Sequence, residues 1–141
     1  MDTFGISIEK DNYISWQGNG NHGYQPLTIM INGNSLLDLI KKVEAPLVKK
    51  ENEERALPKQ DLLKAGDYME LSAKDGLWPS KTLLGKPWNS VFKLENDDPR
   101  KHKSLILSCS SGDEGSWPLL VDIIVKENKI IWQEFCQFHR E

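Results

Sequence analysis

Three short apolar runs in the last third of the chain constrain its fold more than anything else: Leu105-Ile106-Leu107, Leu119 to Val125, and Ile130-Ile131-Trp132. Ser104 and Ser108 flank the first, and Asp122 alone interrupts the second. β-Branched and aromatic side chains suit a pleated, partly buried surface, and each run is close to the usual strand length of about 5–6 residues. The first two runs are joined by a loop over residues 110–116 that carries Gly112 and Gly115, where a chain can reverse without a Cβ clash. The last two are joined by Lys126-Glu127-Asn128-Lys129, and Asn128 tolerates the left-handed backbone that tight hairpin turns need. The pattern predicts a three-stranded antiparallel meander. Strict alternation along its last strand places Trp132, Glu134 and Cys136 on one face and Ile131, Gln133 and Phe135 on the other. Pro118 lacks an amide donor and suits a strand start, and Trp117 beside it is expected to anchor against the sheet.

Upstream, Phe4 to Glu9 alternates apolar and polar residues and predicts a half-buried strand, with Tyr13 to Trp16 as its hairpin partner across Asp11-Asn12. Gly18 to Gly23 is glycine-rich but has no basic residue and no following helix, so it reads as a loop and a poor phosphate cradle. Pro26 to Ile31 predicts another strand, Asn32-Gly33-Asn34 a turn, and Asn34 or Ser35 a helix cap. From Leu36 the spacing changes to Leu36, Ile40, Val43 and Leu47, one face of a helix over about residues 35–46 that is expected to pack on the sheet. Pro46 is expected to end or bend this helix near Glu44. Lys49 to Lys64 reads as an exposed charged loop with a short helical turn at Gln60 to Lys64, and Tyr68 to Leu71 as a short strand. Gly76 to Lys86 reads as an ordered loop held down by Trp78 and Trp88. The class is therefore α+β: a mainly antiparallel sheet, one principal helix packed on it, and a C-terminal meander.

A chain of 141 residues fits a single domain, 1–141, and is long enough to bury a core without a staple. Its formal net charge of -3 argues against nucleic acid as a partner, since phosphate contacts need a basic stripe. Cys109 and Cys136 are too few for a disulfide framework; they could face each other across the meander, and two free thiols are the default in a reducing compartment. The first ten residues are not a basic leader followed by an apolar segment, and no apolar run approaches the ~20 residues that span a bilayer, so a cytoplasmic location is expected.

The residues offer three chemical readings. Cys109 and His139 come close if the outer strands of the meander end together, and a histidine that holds a thiolate makes a nucleophile; a buried thiol at a strand end is the plainer alternative. Cys109 and His139 are also the only good zinc ligands there, since the hydroxyls of Ser111 and Ser116 do not replace thiolates. Asp113 and Glu114 at a glycine-flanked loop tip, with Glu95, Asp97 and Asp98 in a second loop, read either as solvated turns or as a surface for a basic protein partner.

The run Cys109-Ser110-Ser111-Gly112-Asp113-Glu114-Gly115-Ser116-Trp117-Pro118-Leu119, followed by Trp132-Gln133-Glu134-Phe135-Cys136-Gln137-Phe138-His139-Arg140, resembles an uncharacterised bacterial family with the pattern Cys-x-Cys-Gly-x-x-Gly-Cys-Trp-Pro-Leu and then Trp-x-x-Phe-x-x-Pro-His-Arg. Residues Ile31 to Pro46 are similar to that family's N-terminal part, and the likeness covers about three quarters of the chain. The family's second and third cysteines fall on Ser111 and Ser116, and its proline on Phe138, so any metal or bridge held by the family's loop lacks those ligands here. By analogy the family resembles immunity proteins of contact-dependent growth inhibition and other polymorphic toxin systems. The expectation is an immunity protein, not an enzyme, that needs no cofactor or metal. As a monomer it would neutralise a cognate toxin domain, such as a nuclease, in a 1:1 complex, with Asp113, Glu114, Glu95, Asp97 and Asp98 as the contact surface. The alternatives are a small enzyme using Cys109 and His139, or a metal module that has lost most of its ligands.

Overall fold

The computed structural model describes residues 1–9, 14–15, 23–56, 58–72, 98, 100–111 and 117–137. The protein is α+β, with one α-helix and antiparallel strands among the described residues, and it divides into two compact units. The first comprises Met1–Ser7 and Thr28–Asp67, and the second Ile8–Leu27 and Tyr68–Glu141.

In the first unit, strand β1 (Phe4–Ser7) pairs antiparallel with the later part of a strand over Pro26–Ile31, placing Phe4 opposite Ile31 and Ser7 opposite Thr28. The expected partner at Tyr13 to Trp16 is not the one used. Ile14–Ser15 (β2) pairs instead with Gly23–Tyr24 (β3) in the second unit. Nor is β1 half-buried, since Phe4 and Ile6 are both exposed. The Pro26–Ile31 strand (β4) turns through Asn32-Gly33 into Asn34–Ser35 (β5), with Ile31 opposite Asn34. Asn32 has φ +51° and Gly33 φ +77°, the two positive angles that a two-residue hairpin of the primed kind requires. The Asn32 side chain also ties down the N-terminus, accepting from Thr3 N at 2.8 Å and donating to Asp2 at 2.7 Å.

The helix that follows, α1, spans Leu36–Arg55. Ser35 caps it, accepting from Asp38 N at 3.1 Å, and Ala56 closes it in the left-handed conformation. It therefore runs nine residues past the expected stop at Pro46 and takes up much of the stretch expected to be an exposed loop. A proline fixes a helix-compatible φ and costs about 3 kcal/mol, and the Lys, Glu and Arg residues beyond it are good helix formers that offset it. The short helical turn falls at Lys59–Asp61. The buried face is also not the expected stripe: Leu36, Glu44 and Val48 are buried, whereas Val43 and Leu47 are exposed. Glu44 earns its inward position by accepting from Gly66 N at 2.8 Å, and Asn52 holds Leu63 through two hydrogen bonds of 2.9 and 3.0 Å.

In the second unit, Tyr68–Met69 (β6), Ser104–Cys109 (β8), Leu119–Lys126 (β9) and Lys129–Gln137 (β10) form a sheet in the order β10-β9-β8-β6, while Leu71–Ser72 (β7) pairs with Pro26 and Leu27 of β4. The expected meander is β8-β9-β10. Its core is fully buried: Ile106, Leu107, Leu120 and Val121 are at most 1 % exposed. Leu119, Leu120 and Val121 are successive, so both faces of the sheet are covered at this level.

Candidate functional site

The β9–β10 hairpin changes character along its length. Val121 is buried, Ile123 pairs with a half-buried Trp132, and at the far end Val125 (58 % exposed) faces Ile130 (47 % exposed). These residues share one face and form an apolar ladder that runs from the core into solvent. Lys126 and Lys129 close the hairpin opposite one another around a two-residue turn, Glu127-Asn128. Asn128 does not use the left-handed conformation expected of it; positive φ among the described non-glycine residues occurs only at Asn32, Ala56 and Glu134.

The opposite face carries the half-buried Ile124–Ile131 pair and then Asp122 opposite Gln133, and it is organised by an irregularity. Gln133 pairs with Asp122 and Cys136 with Leu120, so one extra residue is inserted into β10. The insertion shifts the alternation and moves Cys136 to the face of Gln133, away from Trp132, where strict alternation had placed it. At the bulge Glu134 has φ +51°, and its carbonyl accepts from Lys103 Nζ at 2.8 Å, with its carboxylate at 3.5 Å. The Lys103 side chain is only 8 % exposed. A buried ammonium thus satisfies the carbonyl that leaves the ladder. β8 is also irregular between Leu105 and Leu107, so β9 is flanked by a bulge on each side.

Around this point lie several charged groups. Arg100 grips Asp98 through Nε (2.9 Å) and Nη2 (2.7 Å), and its backbone N–H adds a bond of 2.8 Å. Those hydrogen bonds hold the Asp98 carboxyl down at about 2. His102 lies 3.6 Å from Asp122, which also accepts from Gln133 at 3.4 Å. Burial pushes the Cys136 thiol up, and the positive charges of Lys103 and Arg100 only partly oppose it.

Of the five acidic residues expected to form the contact surface, Asp98 alone is among the described residues, and its carboxylate is engaged by Arg100. Glu95, Asp97, Asp113 and Glu114 lie outside them, as do His139, Ser116 and the Trp78 and Trp88 loop. Cys109 is buried at the end of β8, and its sulfur accepts from Ser111 N (3.4 Å) and Oγ (3.0 Å). The two cysteines are not bonded to one another, and the register keeps them apart. Cys136 is level with Leu120 and Leu105, whereas Cys109 stands four residues further along β8. That is roughly 13 Å along and roughly 10 Å across the sheet, too far for a bridge between Cα atoms that must lie within about 7 Å. No group of three or more His, Cys, Asp or Glu residues placed to hold a metal occurs among the described residues. No described helix is long and apolar enough to cross a membrane.

The residues that sequence reasoning missed are Lys103 and Glu134, because nothing in the local pattern announces a bulge at a glutamate. The Val125–Ile130 pair was visible as apolar residues on both sides of the turn, but its exposure depends on how far the hairpin projects. Compared with family models, curated proteins and solved structures, the chain matches none.

Proposed function

We propose that this protein is a protein-binding domain without enzymatic activity, an immunity protein that neutralises the cognate toxin domain of a bacterial contact-dependent inhibition system from the cytoplasm, as a monomer in a 1:1 complex. The observation that carries the binding part is the apolar ladder on β9–β10, with Val125 and Ile130 side by side and largely exposed. An exposed cross-strand aliphatic pair backed by Ile123 and Trp132 is a ready-made contact centre, because the strands hold it in one conformation before binding and little ordering cost remains. The toxin part rests on the resemblance of residues 109–119 and 132–140 to the bacterial family. Glu95, Asp97, Asp113 and Glu114 supply the negative charge that steers a basic toxin surface such as that of a nuclease. Asp98, already paired with Arg100, completes the expected acidic set without adding net negative charge.

The test is a calorimetric titration of the toxin domain encoded beside this chain into wild type and into a Val125→Asp/Ile130→Asp variant. Wild type is expected to bind at micromolar concentration or tighter, and the variant at least about tenfold more weakly, a loss of about 1.4 kcal/mol or more. Absence of wild-type binding at micromolar concentration overturns the reading.

A further inference from the structure

Strand β1 is held to β4 by its backbone ladder, and burial adds little. None of its residues is buried, and Phe4 is 50 % and Ile6 41 % exposed. Its entry is fastened by Asn32, the first residue of the β4–β5 turn. Asn32 Oδ1 accepts from Thr3 N at 2.8 Å and from Thr3 Oγ1 at 3.2 Å, and Asn32 Nδ2 donates to Asp2 Oδ1 at 2.7 Å. Asn32 N also donates to Thr3 O at 2.9 Å. A carboxamide suits this place because it accepts from Thr3 and donates to Asp2 at once; an ionised carboxylate can only accept.

The residue after Asn32 is Gly33. A glycine nitrogen is the least hindered amide a chain can offer, and nothing lies within 4 Å of where a Gly33 Cβ would stand. Both residues are exposed, and Gly33 sits in the turn outside the β4–β5 ladder, which pairs Ile31 with Asn34. Asn32 Cγ and the Gly33 nitrogen are the two ends of a five-atom stretch that can close to a succinimide.

We propose that Asn32-Gly33 is a covalent modification site, at which spontaneous deamidation slowly and irreversibly unfastens β1. The Gly33 nitrogen attacks Asn32 Cγ. The N–Cγ bond forms as the Cγ–Nδ2 bond breaks, and the Gly33 amide proton leaves with Nδ2 as ammonia. Water then opens the succinimide at either carbonyl and leaves aspartate or isoaspartate at position 32. No electrons are exchanged, and water is the sole reagent. The closed ring is nearly planar, so the Asn32 side chain must leave its staggered rotamer and the backbone its left-handed turn at φ +51°. The hydrogen bonds to Thr3 and Asp2 resist both movements, so the reaction proceeds through moments when residues 2–7 open locally. Afterwards an oxygen stands where Nδ2 faced Asp2, and two carboxylates at that distance repel near neutral pH. The fastening cannot re-form. This site lies in the first unit and does not depend on the β9–β10 surface.

The experiment incubates the full chain at neutral pH and follows, by peptide mapping, the gain of about one mass unit at Asn32. Asn19-Gly20, the other Asn-Gly pair in the chain, is the internal reference. Asn32 is expected to convert in wild type and at least about threefold faster in Asp2→Ala, with Asn19 unchanged. Amide hydrogen exchange over residues 3–7 should be at least about threefold faster in Asn32→Asp than in wild type. Asp2→Asn/Asn32→Asp, in which amide and carboxylate trade places, should restore the wild-type rate. No conversion at Asn32 while Asn19 converts, or an Asn32 rate indifferent to Asp2→Ala, overturns the proposal. So does unchanged exchange in Asn32→Asp, an increase shared by β8 and β9, or failure of the double substitution to restore protection.

Discussion

Asp98 shows how a neighbour two residues away redirects a side chain. Read alone it is an exposed loop acid; beside Arg100 it becomes one half of a forked ion pair. Because its folded value, about 2, lies below the ordinary 3.8, the stability it contributes is complete above about pH 4 and is lost as pH falls toward about 2. Urea midpoints of wild type and Asp98→Asn should therefore differ at pH 5 and converge by pH 2; a constant difference would contradict this. Ala56 is a simpler case. It closes α1 at φ +49°, where a Cβ is unfavourable, and Ala56→Gly is expected to stabilise by about 0.5–1 kcal/mol in urea unfolding. Any loss of stability would mean that the left-handed cap is absent in solution.

The strands and the helix differ in how far they could be read in advance. The meander was legible because Leu119 to Val125 and Ile130 to Trp132 are β-branched, aromatic and of strand length, and Ser35 announced its cap by type. The bulge in β10 was not legible. One inserted residue changes which face Cys136 occupies, and Glu134 is no glycine to mark the place. Lys103 makes the bulge stable, so Lys103→Met should cost about 1–3 kcal/mol by leaving the Glu134 carbonyl without its donor. The same change removes a charge that favours the Cys136 thiolate, so the pH at which iodoacetamide alkylates Cys136 should move upward; an unchanged profile would place Lys103 elsewhere. The partner of β1 was misread because Phe4 opposite Ile31 is a pairing over a long stretch of chain, and local turn signals cannot reveal it. The end of α1 lies beyond Pro46 because the helix formers after the proline outweigh its local cost. Pro46→Ala should accordingly stabilise by about 2–3 kcal/mol, and a neutral result would show that the proline ring makes a contact that offsets its cost.

For the protein as a whole, composition fixed little beyond a mildly acidic α+β chain, and the two compact units emerged only with the long-range pairings. Each unit leaves aliphatic side chains in solvent, Val43 and Leu47 on one and Val125 and Ile130 on the other. Under the proposed reading, Val125 and Ile130 are left in solvent as the centre of a binding surface. Sequence pattern could list these residues but not expose them, because exposure follows from the rotation of a helix and the reach of a hairpin. The decisive experiment is the calorimetric titration of the neighbouring toxin domain against wild type and Val125→Asp/Ile130→Asp. Binding at micromolar concentration or tighter, weakened at least about tenfold in the variant, is the expected result; no heat of binding with the wild-type chain would contradict the account.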